Sequence, residues 1–483
     1  MNKKSVILIF ILAVRAWGQT ENDSAKIIAP TPVFPIGKAA ALTLQDHQAQ
    51  APVTHLALSL SDLIQTAFKN NSQLQSAKSA YESARSEAGS LSAAELPKIS
   101  LSGNYFYQTY VPVFSVVPNA PKAVFGEHNN WSAWADLNWN LWDFRSQHNV
   151  ADSATASSKS KEQQYLAAQR QLRLAVRLNY FQVKIGLEQI HLLGDSLKVA
   201  QAQHTDITHQ ARFGTASRID LLSSHQEVLN FQRQFIQAQA TLAQALRDLF
   251  DLAGEKDPAD LTAPLDFHME GGLPEGVSGP TVWLSTDLVK DSRDTLEKEA
   301  QVPPDDGVPQ LKTYAYLADS ARFAANAVRS ELLPKVTLSA QAGYENPDGP
   351  VLDTVQQNII SISASVPLFD WGAILKDSDS KREQSEAYLA DLGQAKSDLW
   401  RDWNKAGDSL RSMEYQQALN QTAVSETQEL ASLTYGAYRA GTLRFLEVQT
   451  ANFQALNAKI QAASNEVGIL MQLSILSSLS GKE

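Results

Sequence analysis

The residues that could do acid–base, metal or nucleophilic chemistry are scattered along this chain. The 483 residues include nine histidines and no cysteine, which excludes disulfides, thiolate metal sites and cysteine nucleophiles. His204 and His209 are five positions apart, a poor spacing for one helix face, and no HExxH, P-loop or Gly-x-Ser-x-Gly motif occurs. Asp305-Asp306 is typical of a solvated loop. The sequence therefore predicts neither an enzyme nor a cofactor or metal site.

Two carboxylates, in contrast, occupy a repeated position. Asp220 follows the pair Gly214-Thr215, and Glu447 follows the pair Gly441-Thr442. Asp220 also lies three residues after Ser217, which is the spacing of a capping box. Acids in the first turn stabilise a helix through its dipole and its free N–H groups. We expect both glycines to be left-handed turn residues between helices.

Long helices must position these turns. Helical periodicity runs without proline from about Asp143 to Phe213, roughly 65 residues or about 100 Å. A second such segment runs from about Gly372 to Ala440. After each Gly-Thr pair a further helix is predicted, and a shorter helix precedes each strand pair described next. These other helices are expected at about Ser217–Ala253, from Gly441-Thr442 to Leu479, from Ser61 to before Pro97, and from Gln310 to Pro334.

Between the short and the long helices, the spacing of the apolar residues changes from a period of 3.6 residues to a period of 2 residues. Four segments of about ten residues alternate apolar and polar side chains, as strands do, and this length lets a tilted strand cross a bilayer. Trp and Tyr lie near the strand ends, as in the aromatic girdles of membrane barrels; packing in a soluble sandwich is the alternative. The segments are Ile99–Tyr107, Trp131–Leu141, Val336–Tyr344 and Ile360–Leu368, and the expected girdle residues are Tyr105, Tyr107, Trp131, Trp139 and Trp142.

The chain is internally duplicated, because four matches between its halves occur in one order. One match has an offset of 237 and three have an offset of 227, so the first hairpin loop is longer. We therefore expect a first repeat over 58–254, a Pro- and Gly-rich connector over 255–309, and a second repeat over 310–481. The matches are Leu96–Ser102 with Leu333–Ser339, Leu141–Asp143 with Leu368–Asp370, Arg212–Thr215 with Arg439–Thr442, and Gly254 with Gly481.

The N-terminus predicts export. Lys3-Lys4 precede the apolar run Val6–Val14, and small residues lie before Gln19, so residues 1–18 are expected to be a signal peptide. Residues 19–57 have no sustained period and are expected to form a flexible arm. No later stretch approaches 18 apolar residues, so strands must make any membrane contact. The net charge of −11 argues against a nucleic-acid partner.

The number of strands has a physical consequence. Unpaired sheet edges are costly in lipid because no water satisfies their backbone groups. One chain supplies four strands, too few to enclose a pore, since barrels start near eight. We therefore expect a mainly α-helical fold with membrane β-hairpins, in which three copies share a 12-stranded β-barrel continuous with a long α-helical barrel. A secreted coiled-coil rod, structural or adhesin-like and without transport, is the alternative.

In these features the sequence resembles the TolC-type outer-membrane efflux family. The resemblance implies a homotrimeric, passive channel for small molecules or proteins in the bacterial outer membrane. It would contact outer-membrane lipid, extend into the periplasm, and dock a periplasmic adaptor protein and an inner-membrane transporter. The residues that carry the resemblance are Leu96-Pro97-Lys98, Leu333-Pro334-Lys335, Val366–Gly372, Tyr438–Thr442 and Leu446–Val448, within a duplicated layout over about 58–481.

The resemblance also assigns roles to residues. Both Gly-Thr turns, at Gly214-Thr215 and at Gly441-Thr442, would be periplasmic tips. Glu447 matches an acid of a ring that closes the entrance, whereas Thr450 stands where the family has a second acid. The remaining gate residues would be Asp220 and Tyr438, at linking positions, and Arg444, one residue after Leu443 at the linking-arginine position. The junctions between barrel and helices would lie at Pro97, Asp143, Pro334, Pro367 and Asp370.

Overall fold

The computed structural model describes residues 54–114, 123–124, 126–256, 266–267, 281–287, 289–347 and 353–480. The predicted signal peptide, the predicted arm before Thr54 and most of the predicted connector before Thr281 lie outside these residues. As far as Ala253, the elements are β1 (Thr54–Leu58), α1 (Leu60–Asn70), α2 (Ser72–Ala93), β2 (Lys98–Tyr107), β3 (Val113–Phe114), β4 (Ala123–Val124), β5 (Asn129–Trp142), α3 (Ser146–Arg212) and α4 (Arg218–Ala253). They continue with β6 (Asp266–Phe267), β7 (Thr281–Thr286), α5 (Val289–Ala300), α6 (Pro309–Ser330), β8 (Lys335–Asn346), β9 (Val355–Ser365), α7 (Ala373–Arg439) and α8 (Phe445–Leu479).

The element boundaries repeat at the two sequence offsets. Helices α2 and α6 contain 22 residues each and begin 237 positions apart. Helices α3 and α7 contain 67 residues each and begin 227 positions apart. Each long helix is about 100 Å long at 1.5 Å per residue. Both halves are therefore built on one plan, with α4 and α8 as the helices that follow the two turns.

The helices pack side by side. Helix α3 contacts α2, α4, α6 and α8, and α7 contacts α6 and α8. Helix α7 is largely exposed in one chain, because only five of its 67 residues are buried. Within the described residues, no helix has both the length and the apolar character to cross a membrane. The largest fully buried side chains, mainly from α3 and α4, include Tyr180, Phe181, Phe235, Ile190, Leu197, Leu242, Leu246 and Leu249.

The four long strands form one antiparallel sheet in the order β2-β5-β8-β9. The register places Ile99, Leu137, Ala340 and Ile360 in one row. Strands β2 and β9 are the sheet edges. A bulge between Asn140 and Trp142 brings Trp142 opposite Val336, so the simple alternation predicted as far as Leu141 is wrong at its end.

The flexible arm predicted over 19–57 includes residues that form a strand. Strand β1 pairs in parallel with β7, with Leu58 opposite Thr286, in a sheet of order β1-β7-β6. Leu58 is buried. Local sequence did not reveal this strand, because its partner follows α3 and α4 in the chain. The connector likewise contains β7 in addition to α5, the one short helix predicted there near 286–299.

The single helix predicted from Ser61 to before Pro97 is in fact two helices. The chain is extended at Asn71, with φ −65° and ψ 120°. The Asn71 side chain accepts a hydrogen bond from the Leu74 N–H (3.0 Å) and donates one to the Leu252 carbonyl (3.2 Å). Asn71 thus caps α2 and holds its start against the end of α4.

Candidate functional site

Both long helices end in the same tight turn. After α3, the Thr215 N–H donates to the Gln210 carbonyl (2.9 Å) and the Gly214 N–H to the Ala211 carbonyl (3.1 Å). This is the pair of bonds of a Schellman motif, and Gly214 has the left-handed φ of +73° that the motif requires. The Thr215 hydroxyl donates to the same Gln210 carbonyl (2.9 Å).

The turn after α7 repeats these contacts. The Thr442 N–H donates to the Ala437 carbonyl (3.0 Å), the Gly441 N–H to the Tyr438 carbonyl (2.9 Å), and the Thr442 hydroxyl again to Ala437 (2.9 Å). Gly441 has φ +77°. The left-handed turns predicted at both glycines are therefore present, and the threonines reinforce them.

Asp220 forms the capping box that its spacing predicts. Its N–H donates to the Ser217 hydroxyl (3.1 Å), and its carboxylate accepts from the Ser217 N–H (3.3 Å) and the Ser217 hydroxyl (2.7 Å). Glu447 lies in the first turn of α8 and is exposed, as is the N-cap residue Arg444. Among the described residues no hydrogen bond or ion pair joins the Glu447 and Arg444 side chains.

Tyr438 lies between the two turns. Its ring packs edge-on against Phe445 at 5.4 Å, in a cluster with Ile207 and Val448. Burial, and then the charge of Asp220, raise the pKa of Tyr438. The structure thus brings Tyr438 and Asp220 within electrostatic range, whereas Glu447 and Arg444 belong to the exposed surface of the second turn.

Sequence reasoning missed a second contact near the two turns. The Tyr435 hydroxyl donates to the Asp206 carboxylate (2.8 Å), which ties α7 to α3. Burial and the neighbouring Asp206 raise the pKa of Tyr435 to about 12. The phenol therefore stays protonated, and able to donate, throughout the physiological pH range.

A polar cluster inside the helix bundle was also missed. The Asn452 amide of α8 donates to Gln203 of α3 (2.9 Å) and to Glu227 of α4 (3.1 Å). Glu227 is only 7% exposed, and burial raises its pKa. The signal was present in the sequence, because Glu227 lies in the buried α4 stripe that contains Ser224, Val228 and Phe231.

The four-stranded sheet has two chemically different faces. The apolar face carries rows such as Leu101, Ala135 and Ala342, and many of its side chains are exposed in one chain: Ile99 is 77% exposed, Leu101 84% and Ile360 77%. The polar face carries a ladder of side-chain hydrogen bonds. Its bonds join Ser102 to Asp136 (3.2 Å), Gln341 to Asp136 (2.8 Å), Ser339 to Asn138 (3.0 Å) and Thr337 to Ser363 (2.8 Å).

The expected girdle residues lie at the two ends of this sheet. Tyr105 pairs with Trp131, and Tyr107 stacks on His128, at the hairpin-loop end. Trp139 and Trp142 lie at the helix end, where the Trp139 indole N–H donates to the Glu95 carbonyl (3.1 Å). Sequence reasoning left out further exposed aromatics at the same two ends: Tyr344 at the loop end, and Phe144, Phe369 and Trp371 at the helix end.

The junction residues act on the backbone at the sheet–helix boundary. Pro97 and Pro334 immediately precede β2 and β8. Asp143 accepts from the Gln147 N–H (2.9 Å) at the start of α3. Asp370 accepts from the Gly372 (2.9 Å) and Ile374 (2.8 Å) N–H groups at the start of α7, which lowers its pKa. Pro367 follows the end of β9.

A sheet with one exposed apolar face, continuous with two very long helices, is typical of proteins that contact a membrane through strands. The family described as outer membrane efflux protein matches residues 63–255 and 307–482, and the chain belongs to that family. The resemblance seen in the sequence is thereby confirmed. The protein is a transport protein of the bacterial outer membrane that extends into the periplasm.

Individual proteins agree with this assignment. The chain is 23% identical to the probable efflux pump outer membrane protein TtgC of Pseudomonas putida, over 83% of this chain and 79% of the relative. It is 23% identical to the alkaline protease secretion protein AprF of Pseudomonas aeruginosa, over 70% of this chain and 66% of the relative. The open state of the MtrE outer membrane channel of Neisseria gonorrhoeae has the same fold, with a TM-score of 0.66 at 16% identity over 87% of this chain and 88% of that one.

Proposed function

We propose that three copies of this chain form a passive channel that exports small molecules or proteins across the outer membrane. The observation that carries the proposal is the β2-β5-β8-β9 sheet, whose apolar face is exposed and whose two edges are unpaired within one chain. Joining the β9 edge of each copy to the β2 edge of the next removes all edges and yields 12 strands. The apolar face then contacts lipid and the polar face lines a wet lumen.

The proposed periplasmic entrance lies at the two turns. Three copies place three exposed Glu447 carboxylates near one another, with Asp220 and Tyr438 linking adjacent helices and Arg444 beside the ring. A periplasmic adaptor would contact the Gly214-Thr215 and Gly441-Thr442 turns, and an inner-membrane transporter would supply the energy. The similarity to TtgC, an efflux pump outer membrane protein, and to AprF, a protease secretion protein, supports both cargo classes.

Assembly can be tested by disulfide trapping, because the chain has no cysteine of its own. Four double variants each carry one cysteine on β2, in place of Ser100 or Ser102, and one on β9, in place of Ser361 or Ser363. At least one double variant should give covalent trimers on oxidation, whereas none of the four single-cysteine proteins should. Only monomers in every combination would exclude β2–β9 edge pairing.

Gating can be tested in planar bilayers. Glu447→Ala should lower the preference of the channel for cations, and Asp220→Ala should raise its conductance, because each removes a proposed restraint at the entrance. Glu426→Ala, which removes an exposed acid elsewhere on α7, is the matched control. Unchanged conductance and ion selectivity in both test variants would refute the gate assignment while leaving the channel intact.

A further inference from the structure

Trp134 is unusual among the tryptophans of the sheet because it belongs to the polar face. It lies in one row with Ser102 and Gly343. A Cβ at position 343 would lie 2.6 Å from Cε3 of the indole, so the Trp134 ring lies directly on the Gly343 backbone. The indole therefore covers the glycine, and Trp134 remains partly exposed.

Two carboxylates flank this indole in the next rows of the same face. Asp136 lies one row toward the helix end, and Glu345 lies one row toward the loop end, opposite Ser132. Same-face rows are about 7 Å apart along a strand. Asp136 accepts hydrogen bonds from Ser102 (3.2 Å) and Gln341 (2.8 Å), which fix its position.

The lysines of the polar face lie on one side of this group. Lys98 is opposite Asn138, one row beyond Asp136 toward the helices, and Lys335 is opposite Ser365, farther in the same direction. In the part of the chain that the structure describes, neither forms an ion pair with Asp136. The negative charge beside Trp134 is therefore not neutralised by a bound lysine.

We propose that Trp134, Asp136 and Glu345 form a binding station for lipophilic organic cations. An indole face attracts a cation and offers apolar contact at the same time, and carboxylates on both sides favour positively charged ligands over negatively charged ones. The inference rests on the proposed function in one respect, since the polar face must line the lumen for the station to act on a passing solute. It deepens that function by naming a cargo chemistry that would be retained in the barrel.

The test uses tetraphenylphosphonium and tetraphenylborate, two probes of the same shape and opposite charge. Isothermal titration of the full-length protein in detergent should show binding of the phosphonium and none of the borate. Trp134→Leu and Asp136→Asn should each weaken phosphonium binding about tenfold, and Trp134→Phe should weaken it less. Trp131→Leu, a tryptophan of the apolar face on the same strand, and Asp319→Asn on α6 should leave it unchanged.

The outcomes separate the station from the channel. Equal binding of both probes, or wild-type phosphonium binding by both Asp136→Asn and Trp134→Phe, would overturn the station. If Trp134→Leu does not fold, Asp136→Asn and Trp134→Phe decide. Bilayer recordings with the phosphonium then show whether these variants relieve block of an otherwise normal conductance. Conductance without such relief refutes the station alone, whereas absence of conductance refutes the proposed channel.

Discussion

Glu227 is buried in the helix bundle, and its carboxyl group is only partly hydrogen-bonded by the described residues. Its Oε1 accepts a hydrogen bond from Asn452, but its Oε2 has no hydrogen-bond partner among the described residues. Burial raises the pKa of Glu227, and the bond from Asn452 opposes that effect only in part. A raised pKa in the folded state means that this group stabilises the fold at low pH and that the stabilisation is lost as the pH rises through the folded pKa.

Glu227→Gln should therefore stabilise the helix bundle around residue 227 at neutral pH. The amide keeps an acceptor for Asn452 and avoids an ionised oxygen in a buried site, a gain of about 1 kcal/mol. Hydrogen exchange of α4 around residue 227 should slow about fivefold at pH 7.5 relative to wild type, and the difference should shrink at acidic pH, where Glu227 is protonated. Glu426→Gln, on an exposed part of α7, serves as the control. A difference that persists unchanged at low pH would contradict the assignment.

Residue types that act locally were predictable, and those that act across helices were not. The capping box of Asp220 and the left-handed glycines follow from spacings within one turn. The Asn452–Glu227 and Tyr435–Asp206 contacts join helices far apart in sequence. A polar residue inside an apolar stripe marks such a position, but the sequence does not say which partner the fold supplies.

At the scale of elements, the capping residue Asn71 separates two helices although the apolar stripe in the sequence continues through this position. Asn71→Ala removes both the cap of α2 and the contact to the Leu252 carbonyl, at an expected cost of about 1–2 kcal/mol. Asn70→Ala, at the exposed neighbouring position, should cost far less. Thermal unfolding followed by far-UV circular dichroism should show a lower midpoint for the first variant only. Equal midpoints would mean that α1 and α2 are set by packing and not by this cap.

The elements were predictable where period alone decides them. The long helices and the four long strands lie where the sequence repeats at 3.6 or 2 residues. The bulge after Asn140 and the β1–β7 pair depend on strand pairing between distant segments, which local period does not contain. The sheet–helix junctions are only partly predictable. Asp143 and Asp370 cap the helices that follow them through local contacts, but the sheet that precedes these helices is assembled from strands of both repeats.

On the scale of the whole molecule, hydrogen bonds join the connector to both repeats. Arg177 of α3 donates to Glu299 of α5 (3.1 Å) and to Ser477 of α8 (2.9 Å), and the Ser477 hydroxyl donates to the same Glu299 oxygen (2.6 Å). Helices from the first repeat, the connector and the second repeat therefore meet at one carboxylate. We therefore expect motion of the proposed channel at the turns, which are far from these hydrogen bonds. Contacts between α3 and α7 are few there.

Tyr435 is the residue whose loss should reveal that motion. Tyr435→Phe removes the hydroxyl that ties α7 to Asp206 of α3 and leaves the ring in place, so it should weaken this link between the helices by about 1 kcal/mol. The open probability of single channels in planar bilayers should rise about fivefold, equally at pH 6 and pH 9, because the raised pKa of Tyr435, about 12, keeps the wild-type phenol protonated at both. Tyr415→Phe, at a 78% exposed position of the same helix, should change nothing. Wild-type opening by Tyr435→Phe at both pH values would contradict a role of this hydrogen bond in restraining the proposed channel.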